Sequence, residues 1–217
     1  MVITIFLADD HPIVCEGLRF LLASQPDFEV VGQASNGRET VSQVAKLHPD
    51  IVIMDIGMLD LNGIEATRQI LEHSPETQVI MLSMYATRRY IVNALEAGAQ
   101  GYLLKESAGN EVVDAIRVIH RGRRYFSQKI RDNDLDGYLE QTVLPNAAGS
   151  LAHLSSRERE VLQLVVEGKT SSQIAVILHL SPKTVESYRS RLMKKLEIYD
   201  VPALVKFAIQ NGLTPLE

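Results

Sequence analysis

Short apolar segments alternate with amphipathic stretches through the first half of the chain. The apolar segments have the length of strands and lie near residues 2–8, 28–34, 50–54, 77–82 and 100–104. Between them, apolar positions recur with helical spacing near residues 12–24, 37–47, 63–73, 87–97 and 107–121. Strands and helices that alternate in this way form βαβ units around a parallel sheet. The pattern therefore predicts an α/β domain with five parallel strands over residues 1–125.

Polar residues stand where four of these five segments end. Asp9 and Asp10 follow the first segment, Asp55 the third, Ser83 the fourth and Lys105 the fifth. The carboxyl ends of parallel strands meet at one edge of the sheet, where open α/β sheets bind ligands. Three carboxylates gathered there repel one another unless a hard cation lies among them, and Mg2+ prefers oxygen ligands. With a lysine and a hydroxyl beside it, Asp55 has the surroundings of a phosphate acceptor.

A simpler explanation exists for each acid taken alone. Aspartate often follows a strand because it caps the next helix or forms a turn. Capping does not explain why an acid pair, a single acid, a hydroxyl and a lysine end four segments of one sheet. The functional interpretation rests on the whole set.

The motifs around these residues resemble the receiver domain of bacterial two-component response regulators. They are Leu7-Ala8-Asp9-Asp10-His11-Pro12, Ile53-Met54-Asp55-Ile56-Gly57-Met58, Leu61-Asn62-Gly63, Leu82-Ser83 and Gly101-Tyr102-Leu103-Leu104-Lys105. The resemblance implies a flavodoxin-like (βα)5 fold. It also implies that Asp55 is phosphorylated, and that Asp9, Asp10, Asp55 and the backbone carbonyl of Gly57 hold Mg2+.

The same resemblance implies how the phosphoryl group is sensed. Ser83 and Lys105 would contact it, and Tyr102 would change rotamer together with Ser83. Two positions depart from the family pattern, because Leu59 and Glu106 stand where many receivers carry proline. Leu59 frees the loop after Asp55 from a fixed φ, and neither departure removes a reacting group.

Length and composition indicate two compact domains. The chain has 217 residues, of which 46% are hydrophobic and 23% charged, as is ordinary for globular proteins. No apolar stretch approaches the length of a membrane span, and the amino terminus has no signal-peptide pattern, so we expect a cytoplasmic protein. The single cysteine, Cys15, excludes a disulfide framework. It has the apolar neighbours of a buried thiol, and a redox-sensing role is the alternative.

The alternating pattern ends near residue 126, and charge changes sign beyond the segment that follows. Residues 126–150 are acidic and then rich in small residues and helix breakers, which predicts a linker with a helical stretch around Asp134 to Leu144. Basic and acidic residues number 11 and 16 in residues 1–127, 2 and 4 in residues 128–150, and 9 and 7 in residues 151–217. The resulting net charges of −5, −2 and +2 identify a mildly basic carboxy-terminal module.

That module, residues 151–217, is predicted to be a four-helix domain. Ser155-Ser156-Arg157-Glu158 has the form of a capping box at the start of a helix that Gly168 ends. A short helix begins at Ser171 or Ser172, and a longer one begins with Pro182 and runs to Leu196. A short helix, a tight turn and a longer helix make a helix-turn-helix, whose second helix enters the major groove.

The longer helix carries five basic residues against one acid between positions 182 and 196. A basic helix alone is usually a solvated surface. Here, however, three stretches resemble the LuxR-type DNA-binding domain: Leu154 to Leu162, Gly168 to Ala175, and Leu180 to Arg189 with Lys195-Leu196. Joined to a receiver, the resemblance identifies the NarL/FixJ class of transcriptional response regulators.

The resemblance assigns DNA contacts to individual positions of this helix. The residues expected to face bases are Glu186, Ser187 and Ser190, with Arg191 nearby. The residues expected to hold phosphates are Lys183, Thr184, Tyr188, Arg189, Lys194 and Lys195. One module should bind weakly, so we expect two copies on a two-fold related site.

The expected partners are a sensor histidine kinase, double-stranded promoter DNA and, after phosphorylation, a second copy of the chain, with RNA polymerase a further candidate. We expect no enzyme activity beyond the receiver's own phosphorylation and dephosphorylation. One alternative is a phosphatase of the haloacid-dehalogenase type, which needs a second acid where Gly57 stands. The other is a receiver that acts through protein contact alone, with its last helices used only for dimerisation.

Overall fold

The computed structural model describes residues 2–132 and 150–214. The chain divides into two compact units, residues 1–144 and residues 145–217, and each is considered by itself. The helical stretch predicted around Asp134 to Leu144 lies outside the described residues.

The first unit is built on a six-stranded parallel sheet. Its strands are β1 (Ile3–Ala8), β2 (Phe28–Ala34), β3 (Ile51–Asp55), β4 (Gln78–Ser83), β5 (Gly101–Leu104) and β6 (Tyr125–Phe126). Their spatial order is β2-β1-β3-β4-β5-β6, which confirms the flavodoxin-like arrangement. The chain runs outward in opposite directions from β1 and β3, so the topological switch point lies between these two strands.

Helices cover both faces of this sheet. They are α1 (Pro12–Ala23), α2 (Gly37–Leu47), α3 (Gly63–His73), α4 (Arg88–Glu96) and α5 (Ala108–His120). Successive strand residues point to opposite faces. Ile51 and Ile53 therefore pack with apolar residues of α1 and α5, whereas Val52 and Met54 pack with those of α2, α3 and α4. Because both faces are buried, the strands are almost wholly apolar.

The sixth strand corrects the prediction of five strands. β6 pairs in parallel with β5, and a short helix, α6 (Gln128–Arg131), follows it. Phe126 and Ile130 from this segment are buried in the same apolar cluster as Tyr102. Two strand residues are too few to produce a periodic pattern, so the sequence indicated only the start of a linker here.

The second unit is helical, as predicted. Its described elements are a 3-10 turn (Ser150–His153) and helices α7 (Ser156–Val166), α8 (Ser171–Leu178), α9 (Pro182–Leu196) and α10 (Val201–Gln210). Capping boxes start α7 and α8, and Ser181 and Asp200 cap α9 and α10 by accepting from backbone N–H groups. Val161, Leu178, Val185, Leu192 and Leu204 belong to the common core.

Among the described residues, none of the helices combines the length and the apolar character that crossing a membrane would require.

Candidate functional site: an acidic crevice and a basic helix

The predicted polar residues of the first unit meet at the carboxyl edge of the sheet. Ala8 lies opposite Met54 in the β1–β3 ladder, so Asp9 and Asp55 leave neighbouring strands side by side. Ser83 lies opposite Leu104 in the β4–β5 ladder, so Ser83 and Lys105 also lie close together. Asp9 and Asp55 border the switch point between β1 and β3, where an open α/β sheet forms its ligand crevice, and the Lys105 side chain reaches both of them from β5.

The loop after Asp55 needs glycine at its end. A Cβ on Gly63 would collide with the backbone carbonyl oxygen of Asp55, because α3 begins directly against β3. The Gly63 N–H donates to Ile56 O at 3.1 Å, and the side chain of Asn62 caps α3 by accepting from Glu65 N at 2.9 Å. The Asn62-Gly63 motif therefore returns the chain close to Asp55.

Lys105 lies between the two buried acids. Its Nζ is 2.8 Å from Asp9 Oδ2 and 3.1 Å from Asp55 Oδ2, and its side chain is 7% exposed. Asp9 and Asp55 are each 4% exposed. Buried charges of opposite sign stabilise one another only when they are held this close, and loss of one partner leaves the other uncompensated.

Asp9, Asp10, His11 and Asp55 form an acid cluster in which one ligand atom from each lies within 4.8 Å of the others. His11 Nδ1 lies 3.0 Å from Asp9 Oδ1 and 2.7 Å from Asp10 Oδ1. Apart from this contact of Asp10 Oδ1 and the ion pair of Asp9 Oδ2 with Lys105 Nζ, these two buried oxygens make no hydrogen bond. His11 was not among our predicted site residues, although it stands in the same motif.

These residues fit a hard divalent cation. Three carboxylates against the single ammonium of Lys105 leave two negative charges in a largely buried place. The carboxylate oxygens of Asp9, Asp10 and Asp55 are ligands of the type that Mg2+ prefers. Gly57 lies half-buried in the loop two residues after Asp55.

Burial and neighbouring charge change the acidity of the crevice. Burial, with the nearby charge of Asp9, raises the pKa of Asp55 to about 6, although Lys105 works in the opposite direction. Burial would lower the pKa of Lys105, but the charge of Asp55 and the hydrogen bond to Asp9 outweigh it, so that this pKa is raised. Lys105 therefore stays charged beside Asp9 and Asp55.

Ser83 and Tyr102 are connected through Tyr85. Ser83 Oγ accepts from Tyr85 N at 3.0 Å, and the Tyr102 hydroxyl donates to Tyr85 O at 2.7 Å. Tyr102 is fully buried, and burial raises its pKa. Tyr85 also stacks on Tyr90 of α4, with ring centroids 5.3 Å apart. Tyr85, which the sequence did not single out, thus joins the two predicted switch residues to α4.

In the second unit, α9 presents a polar surface beside two grooves. One groove has a volume of about 570 Å³ and the other about 300 Å³. The larger is lined by Ser171, Glu186, Arg189, Ser190, Met193, Lys194 and Tyr199. The smaller is lined by Ser181, Lys183, Thr184, Ser187, Tyr188 and Arg191. Together they contain every predicted DNA contact except Lys195.

Two of the predicted phosphate contacts already have partners inside the domain. Lys195 Nζ donates to Glu158 Oε2 at 2.7 Å and to His153 O at 3.2 Å. Arg189 Nη1 donates to Ser171 Oγ at 3.0 Å, at the first turn of α8. The ammonium of Lys195 joins α9 to α7, so we expect it to contact DNA less than Arg189, which borders the larger groove.

Tyr199 also borders the larger groove, and the sequence analysis missed it. Its side chain is 74% exposed although it is aromatic. Tyr199 lies in the short connection between α9 and α10, and neither the helical pattern nor any motif marks it in the sequence. In the folded domain it lines the same groove as Arg189 and Lys194.

Comparison with known proteins identifies both units. Residues 5–117 match the response regulator receiver domain family, and residues 152–208 match the luxR family of bacterial regulatory proteins. The chain is 34% identical to the transcriptional regulatory protein DegU of Brevibacillus brevis, over 97% of this chain and 94% of that protein. It is 32% identical to the response regulator VraR of Staphylococcus aureus, over 98% and 99% of the two chains.

Solved structures agree with this. The RcsB response regulator of Salmonella typhimurium is similar with a TM-score of 0.63 and 27% identity, over 97% of this chain and 98% of that one. A structure of the RcsB-DNA complex is similar with a TM-score of 0.59 and 26% identity, over 97% and 99%. The chain belongs to the two-component response regulators that join a receiver domain to a LuxR-type helix-turn-helix, the NarL/FixJ class, and it is a DNA-binding transcriptional regulator.

Proposed function

We propose that phosphorylation of Asp55 switches DNA binding by α9. The observation that carries this proposal is the arrangement of Asp55, Asp9 and Lys105, with the carboxylates of Asp9 and Asp10 gathered beside that of Asp55. A carboxylate oxygen of Asp55 would attack the phosphorus of a phosphohistidine on a sensor kinase. The oxygen–phosphorus bond forms as the nitrogen–phosphorus bond breaks, and the imidazole keeps the electron pair.

Asp9, Asp10, Asp55 and the carbonyl of Gly57 would hold Mg2+ during this transfer. Bound there, the ion supplies positive charge to the oxygens of the transferring group. Lys105 supplies the second positive charge, because its ammonium already lies 3.1 Å from Asp55 Oδ2. A phosphoryl group would bring further negative charge and acceptor oxygens to that carboxylate. Lys105 would then shift its contact from Asp9 towards the phosphoryl oxygens.

Ser83 and Tyr102 would transmit the change. Ser83 Oγ, which accepts from Tyr85 N, would donate its hydroxyl hydrogen to a phosphoryl oxygen. The loop that carries Tyr85 would follow, and with it the hydrogen bond from Tyr102. Because Tyr102 is buried in the inward position, we propose that phosphorylation stabilises this rotamer and its packing against α4. A switch needs such a difference in contacts between its two states.

The output of the switch would be binding of promoter DNA by two copies of the chain. We propose that Glu186, Ser187 and Ser190 face bases, with Arg191 beside them. Lys183, Thr184, Tyr188, Arg189 and Lys194 would contact phosphates from the grooves that flank α9. The partners would be a sensor histidine kinase, promoter DNA and RNA polymerase, and the protein would act in the cytoplasm, where the DNA is.

Footprinting of full-length protein on promoter fragments, with and without a small phosphodonor and Mg2+, tests this function. We expect protection to appear at lower protein concentration after phosphorylation. Asp55→Asn should lose the response. Asp60→Asn is the matched control, because Asp60 lies in the same loop and its positive φ of 64° is tolerated by asparagine. Equal protection by phosphorylated and unphosphorylated wild type would contradict the proposal, and turnover of an external phosphomonoester would favour a phosphatase instead.

A further inference from the structure

The segment that follows α5 is attached to β5 immediately before Lys105. Ser127 connects β6 to α6 and is fully buried. Its Oγ accepts from Leu104 N at 3.0 Å, and its own N–H donates to Tyr102 O at 3.0 Å. One residue therefore holds the backbone on both sides of Leu103. The chain leaves this point for the linker and the DNA-binding unit.

The hydroxyl of Ser127 does not serve its own helix. Ser127 is the N-cap residue of α6, where a serine side chain usually accepts from an N–H of the first turn. Here it makes no such bond, although the Ser127 carbonyl accepts from Ile130 N at 2.9 Å. Its Oγ instead bonds Leu104 N and lies 3.0 Å from Ser107 Oγ. Ser127 thus extends the β5–β6 ladder by one side-chain bond beyond the end of β6.

The end of β5 is held from two opposite sides. The N–H of Lys105 donates to Ser83 O at 2.8 Å, and the preceding N–H, of Leu104, donates to Ser127. In a parallel sheet neighbouring residues bond to opposite strands, so this alternation continues the pattern of the sheet. The backbone at the end of β5 is thus bonded to Ser83 on one side and to Ser127 on the other. A displacement of Ser83 or Lys105 therefore pulls on the bond to Ser127.

Apolar and charged contacts reinforce the attachment. Phe126 and Ile130 are 5% and 1% exposed and belong to the same apolar cluster as Tyr102. Lys129 of α6 pairs with Glu106, the residue after Lys105, at 2.8 Å. The ion pair is exposed and weak, whereas the buried bond to Leu104 is expensive to leave unmade.

We propose that Ser127 is a positioning residue that couples β5, with Tyr102 and Lys105, to the chain entering the linker. When the end of β5 changes, the bond from Leu104 moves Ser127, and the buried side chains of Phe126 and Ile130 move α6 with it. The proposal rests on the proposed phosphorylation of Asp55. It adds a route from the crevice to the start of the linker, through a hydrogen bond to the residue that follows the last strand.

Ser127→Ala tests the route against Ser107→Ala. Both changes remove a hydroxyl at the same place, but only the first removes the acceptor for Leu104 N. Full-length variants are labelled with acetyl phosphate and Mg2+, the labelled fraction is measured by intact mass, and DNA affinity is compared with unlabelled protein. We expect Ser127→Ala to reduce the gain in affinity on labelling by roughly tenfold, within the usual range of coupling between sites, while Ser107→Ala keeps it.

Thermal unfolding of both variants separates coupling from stability. If Ser127→Ala and the wild type are phosphorylated to the same fraction and show the same increase in DNA affinity, the proposal is overturned. This holds even if the variant unfolds at a lower temperature. Equal losses of gain in the two variants would overturn it as well, because the bond to Leu104 would then be irrelevant.

A measurement on the wild type covers the case in which Ser127→Ala does not fold. Amide hydrogen exchange of the full chain should show that labelling changes the protection of Leu104 and Ile130 several-fold. Unchanged exchange at these amides, while labelling still strengthens DNA binding, would overturn the route but leave the proposed function intact. Absence of any label on the wild type would overturn the proposed function, and this inference with it.

Discussion

In the receiver unit, Lys105 is 7% exposed and lies within 3.1 Å of two buried carboxylates, whereas Lys183 and Lys194 of the helical unit are exposed beside open grooves. The chemistry of the side chain is the same, but the surroundings differ. A buried ammonium interacts strongly with each neighbouring charge, so it responds to one added phosphoryl group. An exposed ammonium interacts weakly with any single partner and is screened by salt. An exposed ammonium contributes to binding when many such groups contact many phosphates at once, as on DNA.

Lys195 belongs to the helical unit but resembles Lys105 in its contacts. Its ammonium lies 2.7 Å from Glu158 Oε2, and the carboxylate of Glu158 is nearly buried, with 5% of its side chain exposed. The neighbouring Lys194 borders the larger groove instead. Two adjacent lysines on one helix therefore have different surroundings, because successive residues of a helix point to different sides. We therefore expect fewer basic residues of α9 to be available to DNA than the sequence of the helix contains.

The largest effect should come from removing the acceptor carboxylate. Asp55→Asn should take up no phosphoryl group from a small phosphodonor, whereas the wild type should gain one, because Asp55 is the proposed acceptor, beside Lys105 and the Asp9-Asp10 pair. Intact-mass measurement in the presence of Mg2+ counts the added groups directly. Normal labelling of Asp55→Asn would show that the buried cluster is not the site, and chelation of the metal should abolish labelling of the wild type.

Removing the buried lysine should separate labelling from its consequence. Lys105→Ala keeps Asp55 and should still be phosphorylated to some extent. Its phosphorylation, however, should increase neither dimerisation nor DNA affinity. The reason is that the phosphoryl group loses the cation that senses it. Sedimentation of labelled protein measures assembly, with Ser83→Ala expected to show a milder defect. If phosphorylated Lys105→Ala dimerised like the wild type, the buried Lys105 would not be the group that senses the phosphoryl group.

On α9, exposed cations and base-facing residues should fail differently. Lys183→Ala should weaken binding to all sequences equally and reduce the slope of log affinity against log salt by about one unit. Glu186→Ala or Ser187→Ala should instead change the preferred operator by about 1–3 kcal/mol at an affected base pair. Binding isotherms at several salt concentrations, on single-base operator variants, distinguish the two. Altered base preference in Lys183→Ala, with none in the other two, would place α9 differently on the DNA.

The smallest effect should distinguish Lys195 from Lys194. Lys194→Ala should reduce the salt slope, whereas Lys195→Ala should leave the slope unchanged and lower the stability of the helical unit by about 1 kcal/mol. Burial would raise the pKa of Glu158, but hydrogen bonds from Lys195 and Ser155 outweigh it and lower that pKa below its usual 4.5. The stabilisation is therefore present above the pKa of the unfolded carboxyl.

The stabilisation from the Lys195–Glu158 pair should be lost as the pH falls through the pKa of Glu158 in the folded state, which is the lower of the two. Thermal unfolding of Lys195→Ala and wild type at neutral and acid pH should thus show a difference that shrinks with acidification. A difference that persists in acid, or a reduced salt slope in Lys195→Ala, would return Lys195 to the DNA-contacting group.

The sequence by itself determined the class of both units. Apolar segments ended by acids, a hydroxyl and a lysine predict a parallel sheet with a crevice, because strand ends in such a sheet converge whatever the details of packing. The capping box at Ser155 and the first-turn proline Pro182 likewise predict where helices begin, because they act on the adjacent turn. These signals are local, and they can be read along the chain.

Only the tertiary structure decided which polar groups meet. Tyr85 and Ser127 contact the predicted switch residue Tyr102 through the fold, and no periodic pattern marks them. β6 is too short to be recognised, yet it attaches the start of the linker to β5. Lys194 and Lys195 are equivalent in the sequence, but only Lys195 reaches a carboxylate on another helix. Partners that lie 37 residues apart, as Lys195 and Glu158 do, are brought together by packing, which acts on the whole chain and leaves no local mark.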